Sequence, residues 1–276
     1  MLLKVLSFVI FLIGNASIYG SPVAQSSDVT PHIVGGVEAP EGSAKHMVAL
    51  VIGDIISSFT CGGSIITKRH VLTAAHCIQP YSIWQGLLPT YRGVSGSNNW
   101  NASNYEIKFE NYIIHPKFNI ATIKFDIGVL ITVQDIIFNK RVEPISLNFG
   151  WVPGRRPTYI TGWGLLYVNG KLPDRLQLLH VNTISPLQCI LRVRLASIIL
   201  GGYAPPVEPE IEICTLHSVG HGICFGDSGS AVVSSDTRQQ IGVVSWVFPC
   251  GLGAPDVHVR VSGFHDFLMP IMIPYL

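Results

Sequence analysis

The feature that most constrains this chain is a rhythm of short valine-, isoleucine- and threonine-rich runs broken by Gly, Pro and Asn turns. From Met47 onward it reads MVALVIG, GGSIITK, EIKFENYIIH, DIGVLITV, TYITGWG, LQLLHVNTIS, SAVVSS, QIGVVSW and DVHVRV. β-Branched side chains suit a pleated, half-buried backbone, and many short strands at this spacing specify an all-β sandwich or a pair of barrels. Helix is confined to two candidates, residues 186–196 and 264–276, and Pro270 and Pro274 are expected to break or kink the second. With 276 residues and no linker-like stretch, the chain suits one large β fold or two small barrels sharing a core.

Residues 1–20 begin MLLK and run through the apolar VLSFVIFLIG to small residues, the pattern of a secretory signal peptide. The apolar run is far shorter than the ~20 residues of a spanning helix, so no membrane partner is expected. Residues 21–32 are polar and aperiodic and read as a propeptide, which leaves 33–276 as the mature domain. A secreted, extracellular destination makes the six cysteines candidates for bridges, although spacing alone leaves their pairing open. A net charge of +1 with only 13% charged residues removes the electrostatic case for nucleic acid. Asn101-Ala102-Ser103 is a glycosylation sequon. Glu208, Glu210 and Glu212 alternate with Pro209 and Ile211 and read as a solvated loop leading into a strand, and no Cys or His spacing suggests zinc.

Residues 222–230, GICFGDSGS, have the composition of a nucleophile loop. Gly226 and Gly229 permit tight or left-handed backbone, so the amides of Gly226 and Ser228 could converge as oxyanion donors beside an attacking Ser228 hydroxyl. Serine needs a base, itself oriented by a third group. Of the ten histidines, His76 in VLTAAHC lies beside a cysteine, at the end of an apolar strand and among small residues. Asp126 in KFDIGVLIT best fits a sequestered orienting carboxylate. A cut after His32 would free the amine of Ile33 in IVGG, and Asp227 is the carboxylate chosen to pair with it as an activation switch.

Together IVGG at 33–36, LTAAHC at 72–77, DIGVL at 126–130, TGWG at 161–164, GDSGS at 226–230 and SW at 245–246 resemble the chymotrypsin-like serine proteases, from Ile33 to about Phe267. The resemblance implies two packed six-stranded antiparallel β-barrels with the site between them and a short C-terminal helix. It also implies a serine endopeptidase that is made as a zymogen and uses no cofactor, with His76, Asp126 and Ser228 as the catalytic triad, Gly226 and Ser228 as the oxyanion hole, and Ser245 supporting Asp126. The implied bridges are Cys61–Cys77, Cys189–Cys214 and Cys224–Cys250. Expected partners are protein or peptide substrates, an activating protease and protein protease inhibitors, with the enzyme itself a monomer.

The resemblance also places the primary specificity pocket, with walls from Gly222, Ile223 and Phe225, from Val244, Ser245, Trp246 and Val247, and from Asp256. Trypsin-like members carry an aspartate where Gly222 stands, so Arg and Lys substrates are not expected, since their charge would go unpaired. Val247 and Ile223 should narrow the slot to aliphatic side chains, with Asp256 screened behind them; the alternative is that Asp256 admits a basic residue from the side wall. Ser230 and Gly128 replace a more usual glycine and alanine. The stretch 93–105 carries no Asp or Glu, so calcium is not expected. His32 stands where trypsin-activated relatives have Arg or Lys, which points to an activator of another specificity. The competing reading is a catalytically silent homologue that binds or regulates partners.

Overall fold

A computed structural model describes residues 33–84, 86–102, 105–248 and 250–275. The expected signal peptide, propeptide and His32 lie outside the described residues. In chain order the strands are β1 (Val37–Glu38), β2 (Met47–Ile52), β3 (Ser58–Thr67), β4 (His70–Thr73), β5 (Ser82–Ile83), β6 (Gly86–Leu87), β7 (Arg92–Ser95), β8 (Tyr105–Ile114), β9 (Gly128–Thr132), β10 (Pro157–Gly162), β11 (Gln177–Thr183), β12 (Glu212–Leu216), β13 (Ala231–Ser234), β14 (Gln240–Trp246) and β15 (Asp256–Arg260). Helices are α1 (Ala75–Ile78), α2 (Pro186–Leu200) and α3 (His265–Met272).

The strands close into two antiparallel six-stranded barrels. The first runs β2-β3-β4-β9-β8-β7. The second runs β11-β10-β13-β14-β15-β12 and is shut by the pairing of Asn182 and Thr183 with Leu216 and Thr215, while β1 adds to β11. Closure removes the sheet edges that otherwise invite aggregation. In β11 the residues alternate, with Leu179 and Val181 inside and His180 and Asn182 outside, the period-two signature of a strand with one wet face. In contrast β2 is buried almost throughout, because its second face is also covered.

One apolar cluster joins the barrels. It takes Leu50, Ile65 and Val129 from the first, Val233, Val243 and Val259 from the second, and Leu268 from α3. Each such buried side chain contributes about 1.5–3 kcal/mol. Polar bonds cross the same seam: the Ser64 hydroxyl donates to Gln240 Oε1 at 2.7 Å, and the Gly62 amide to the Ser228 carbonyl at 2.8 Å. The first ties β3 to β14, and the second brings the loop carrying Ser228 against β3.

Both helix expectations need their boundaries revised. Helix α2 starts where expected, with Ser185 and Gln188 in a reciprocal capping box and Pro186 in the first turn, but it runs on past Ala196 to Leu200. Gly201, at φ 68°, ends it, so the glycine sets the stop and not the loss of apolar contacts. Pro270 lies inside α3 without ending it. Pro274 falls in a following 3₁₀ turn, Ile273–Tyr275.

A third correction concerns Glu212. It is not part of a solvated loop: it opens β12 and is 5% exposed, with Lys124 of the first barrel against it. Glu208 and Glu210 do remain exposed. The local alternation could not reveal a partner 88 residues away.

Candidate active site

His76 stands on the single turn of α1, directly after β4. The bridge Cys61–Cys77 ties this turn to β3, and the buried Tyr91 hydroxyl donates to the Cys77 carbonyl at 2.8 Å. Asp126 arrives on the segment leading into β9 and is 1% exposed. Its Oδ1 accepts the His76 amide at 2.9 Å and its Oδ2 faces His76 Nδ1 at 2.8 Å. The Ser245 hydroxyl donates to the same Oδ2 at 2.6 Å. Ser245 is re-aimed for this purpose by a bulge in β14, where the register against β15 shifts between Val244 and Trp246.

These contacts set the histidine's state. Burial of the ring opposes its charged form, but the Asp126 charge and hydrogen bond outweigh that, and the imidazole is held above its ordinary value of 6.5. With Nδ1 donating to the carboxylate, Nε2 is the nitrogen left to take a proton. Other histidines are handled oppositely: His70 and His258 are buried against Thr67 and Thr215 hydroxyls, and burial lowers them to about 4 and about 3. They are neutral parts of the core.

Ser228 sits across the seam on the loop between Cys224 and β13. Gly226 and Gly229 take φ values of 98° and 80°, which an L side chain rarely adopts. A Cβ on Gly229 would also lie 2.1 Å from the Thr73 hydroxyl. Among the described residues, the amides of Asp227 and Ser230 bond within the turn and that of Gly229 donates to the Val244 carbonyl of β14, while no backbone bond uses those of Gly226 and Ser228. Ser230, the departure from the more usual glycine, is fully buried, with its hydroxyl unpartnered among the described residues.

His76 and Ser228 open on one cleft of about 250 Å³. Phe225, Val244, Ser245, Trp246 and Val247 line it, as do Ile120 and Ile123, which sequence reasoning missed. Their signal was available: two isoleucines in a polar turn just ahead of Asp126. Gly222, Ile223 and Asp256 are buried and are not among the cleft's lining residues. Asp256 Oδ2 accepts the Ile223 amide at 3.2 Å, and burial, with a smaller push from Asp227, raises its carboxyl to about 8.

Asp227 is fully buried beside Ser228. It accepts the amides of Gly164 at 2.8 Å and Cys224 at 2.9 Å, yet burial still holds it up at about 6. No basic side chain reaches it among the described residues. Ile33 is buried in the second barrel's cluster with Ile160, Ile223 and Val244, and the Val34 carbonyl accepts the Gly222 amide at 3.1 Å. The remaining bridges are Cys189–Cys214, joining α2 to β12, and Cys224–Cys250, tethering the nucleophile loop. Cys61, His76 and Cys77 form the one grouping of metal-ligating atoms among the described residues, and its sulfurs are committed to a disulfide. Asn101 is exposed, whereas Ser103 of its sequon lies outside the described residues.

The family model described as Trypsin matches residues 33–268. Among curated relatives, Chymotrypsin-2 of Vespa crabro is 33% identical over 237 residues, 86% of this chain and 98% of its own length. Serine protease SP24D of Anopheles gambiae is 31% identical over 244 residues, 88% of this chain and 82% of its own. Trypsin alpha-4 of Lucilia cuprina is 27% identical over 267 residues, 96% and 97% of the two chains. The chain therefore belongs to the trypsin family and is a serine endopeptidase with the chymotrypsin-like fold.

Proposed function

We propose that this endopeptidase works through a Ser228–His76–Asp126 triad and an acyl-enzyme. The carrying observation is the buried Asp126, which holds His76 Nδ1 at 2.8 Å while His76 and Ser228 share one cleft. Ser228 Oγ attacks the scissile carbonyl as its proton passes to His76 Nε2, and the oxyanion takes the free amides of Gly226 and Ser228. The imidazolium formed is stabilised by Asp126 and then protonates the leaving amine. Water, deprotonated by His76, releases the acyl group and restores Ser228. Labelling by a fluorophosphonate probe tests this. The cut chain should label and Ser228→Ala should not, and an unlabelled cut chain would refute the triad.

The same reading makes the chain a secreted zymogen, activated by a cut after His32 whose new Ile33 amine pairs with Asp227. It is supported by the burial of Ile33 and, among the described residues, the lack of a cation at Asp227. An activating protease that cleaves after histidine, protein inhibitors as partners, and a glycan at the exposed Asn101 belong to this reading. The cleft's apolar walls favour aliphatic or other uncharged side chains. Asp256, 6% exposed and largely protonated at neutral pH, offers little to a cation. Cleavage of peptide substrates should follow Ala, Val or Leu. Faster cleavage after Arg would overturn the preference.

One observation favours a second reading, the catalytically silent homologue. Among the described residues His76 Nε2 makes no hydrogen bond to Ser228 and instead lies 3.8 Å from Cys77 Sγ. Catalytic bonds often tighten only with substrate, so the labelling experiment also separates these readings.

A further inference from the structure

The turn that delivers Asp126 is strained. Asn119 and Lys124 exchange backbone bonds of 3.0 and 3.2 Å, and Asn119 Oδ1 accepts the amides of Ala121 and Thr122. Ile123 and Phe125, on either side of Lys124, sit at φ 49° and 53°. Left-handed backbone is costly for any residue with a Cβ, most of all a β-branched one, and persists where surrounding contacts overrule it. Ile123 faces the cleft, and Phe125 immediately precedes Asp126.

What holds the turn crosses the seam. Lys124 Nζ lies 2.5 Å from Glu212 Oε2, with both side chains under a tenth exposed. Glu212 answers two further groups: its Oε2 accepts the Glu208 amide at 2.7 Å and its Oε1 the Trp246 indole N–H at 3.2 Å. Trp246 is a wall of the cleft, next to the Ser245 that bonds Asp126. A buried carboxylate placed for stability alone would be poorly spent here, since apolar pairs often do as well.

We propose that Glu212 and Lys124 are positioning residues of this active site: one carboxylate of the second barrel sets the Trp246 wall and, through Lys124, the turn presenting Asp126 and Ile123. This rests on the Ser228–His76–Asp126 reading. The two arms are separable. Lys124→Met leaves Glu212 its two N–H donors but frees the turn. Trp246→Phe keeps a ring in the wall but drops its bond to Glu212. Glu212→Gln disturbs both arms: it leaves the Lys124 charge buried without a counter-charge, and its amide NH2 cannot accept, so one oxygen cannot serve Lys124, the Glu208 amide and the Trp246 indole together.

The test uses the full chain carrying His32→Arg, cut by trypsin, with kinetics on a tetrapeptide amide across pH. Lys124→Met should lower kcat about tenfold, move the acid limb of kcat/KM to lower pH and leave KM within about twofold. Trp246→Phe should raise KM severalfold with the acid limb unmoved. Glu212→Gln should do both, and adding Lys124→Met to it should change little more. Variants with altered thermal midpoints but unchanged KM and acid limbs would show a merely structural pair and overturn the proposal. Should Glu212→Gln fail to fold, the opposed signatures of the other two variants decide. Failure of the cut parent to label at Ser228 would instead identify the triad reading as wrong, and the proposal would fall with it.

Discussion

Asp126 and Asp227 are both carboxylates sealed at the seam between the barrels, and their surroundings differ in kind. Asp126 is answered by the His76 amide, the His76 ring and the Ser245 hydroxyl. Among the described residues Asp227 has two backbone amides and no cation, and burial raises it to about 6. Asp126 thus has side-chain partners on the other side of the site, whereas the bonds to Asp227 come from amides alone among the described residues. Asp256 extends the series: with one amide at 3.2 Å it is raised further, to about 8.

The sharpest way to break the contrast is at Asp126. Asp126→Asn should lower kcat/KM of the cut enzyme on the order of a thousandfold or more, with little change in circular dichroism, because the histidine loses its orienting acid. Next is Asp227→Asn, which should cost roughly a hundredfold in the cut chain by removing the partner of the Ile33 amine. If it leaves cut-chain activity intact, Asp227 is not the latch.

Smaller effects come from pH. The raised His76 means that kcat/KM should climb with pH through a value above 6.5, and a limb below that would show Asp126 to be poorly coupled. For the two raised carboxyls, the folded chain binds a proton more tightly than the unfolded one. Their stabilisation is therefore complete below the unfolded value of 3.8 and is lost as pH rises through about 6 for Asp227 and about 8 for Asp256. In the uncut chain, Asp227→Asn should remove the part of the fall in thermal midpoint centred below pH 6. Smallest of all, Asp256→Asn should flatten the fall that continues toward pH 8 while changing cleavage after Ala or Val less than about threefold. A tenfold loss there would show that Asp256 reaches the substrate.

Much of this was legible locally. The short valine-, isoleucine- and threonine-rich runs announced β11 and the other long strands, residues 186–196 announced most of α2, and GDSGS announced a loop with glycine at 226 and 229. Pairwise placement was not legible. Glu212 reads locally as one of three solvated glutamates, and only Lys124, 88 residues earlier, makes it an interior residue. Ile120 and Ile123 look like stray apolar residues in a turn until the second barrel supplies the opposite wall. The displacement of Gly222, Ile223 and Asp256 from the cleft lining depends equally on how the chain folds back.

By itself, then, the sequence determined the strand class and the glycine-rich make-up of the 222–230 loop, and it nominated His76 and Asp126 as base and acid, because backbone conformation and side-chain chemistry are local properties. Tertiary structure decided which carboxylate is met by side chains, which is held by backbone amides alone among the described residues, and which glutamate crosses the seam. Desolvation and charge pairing act through space, and no local pattern carries the distance to a partner on the other barrel.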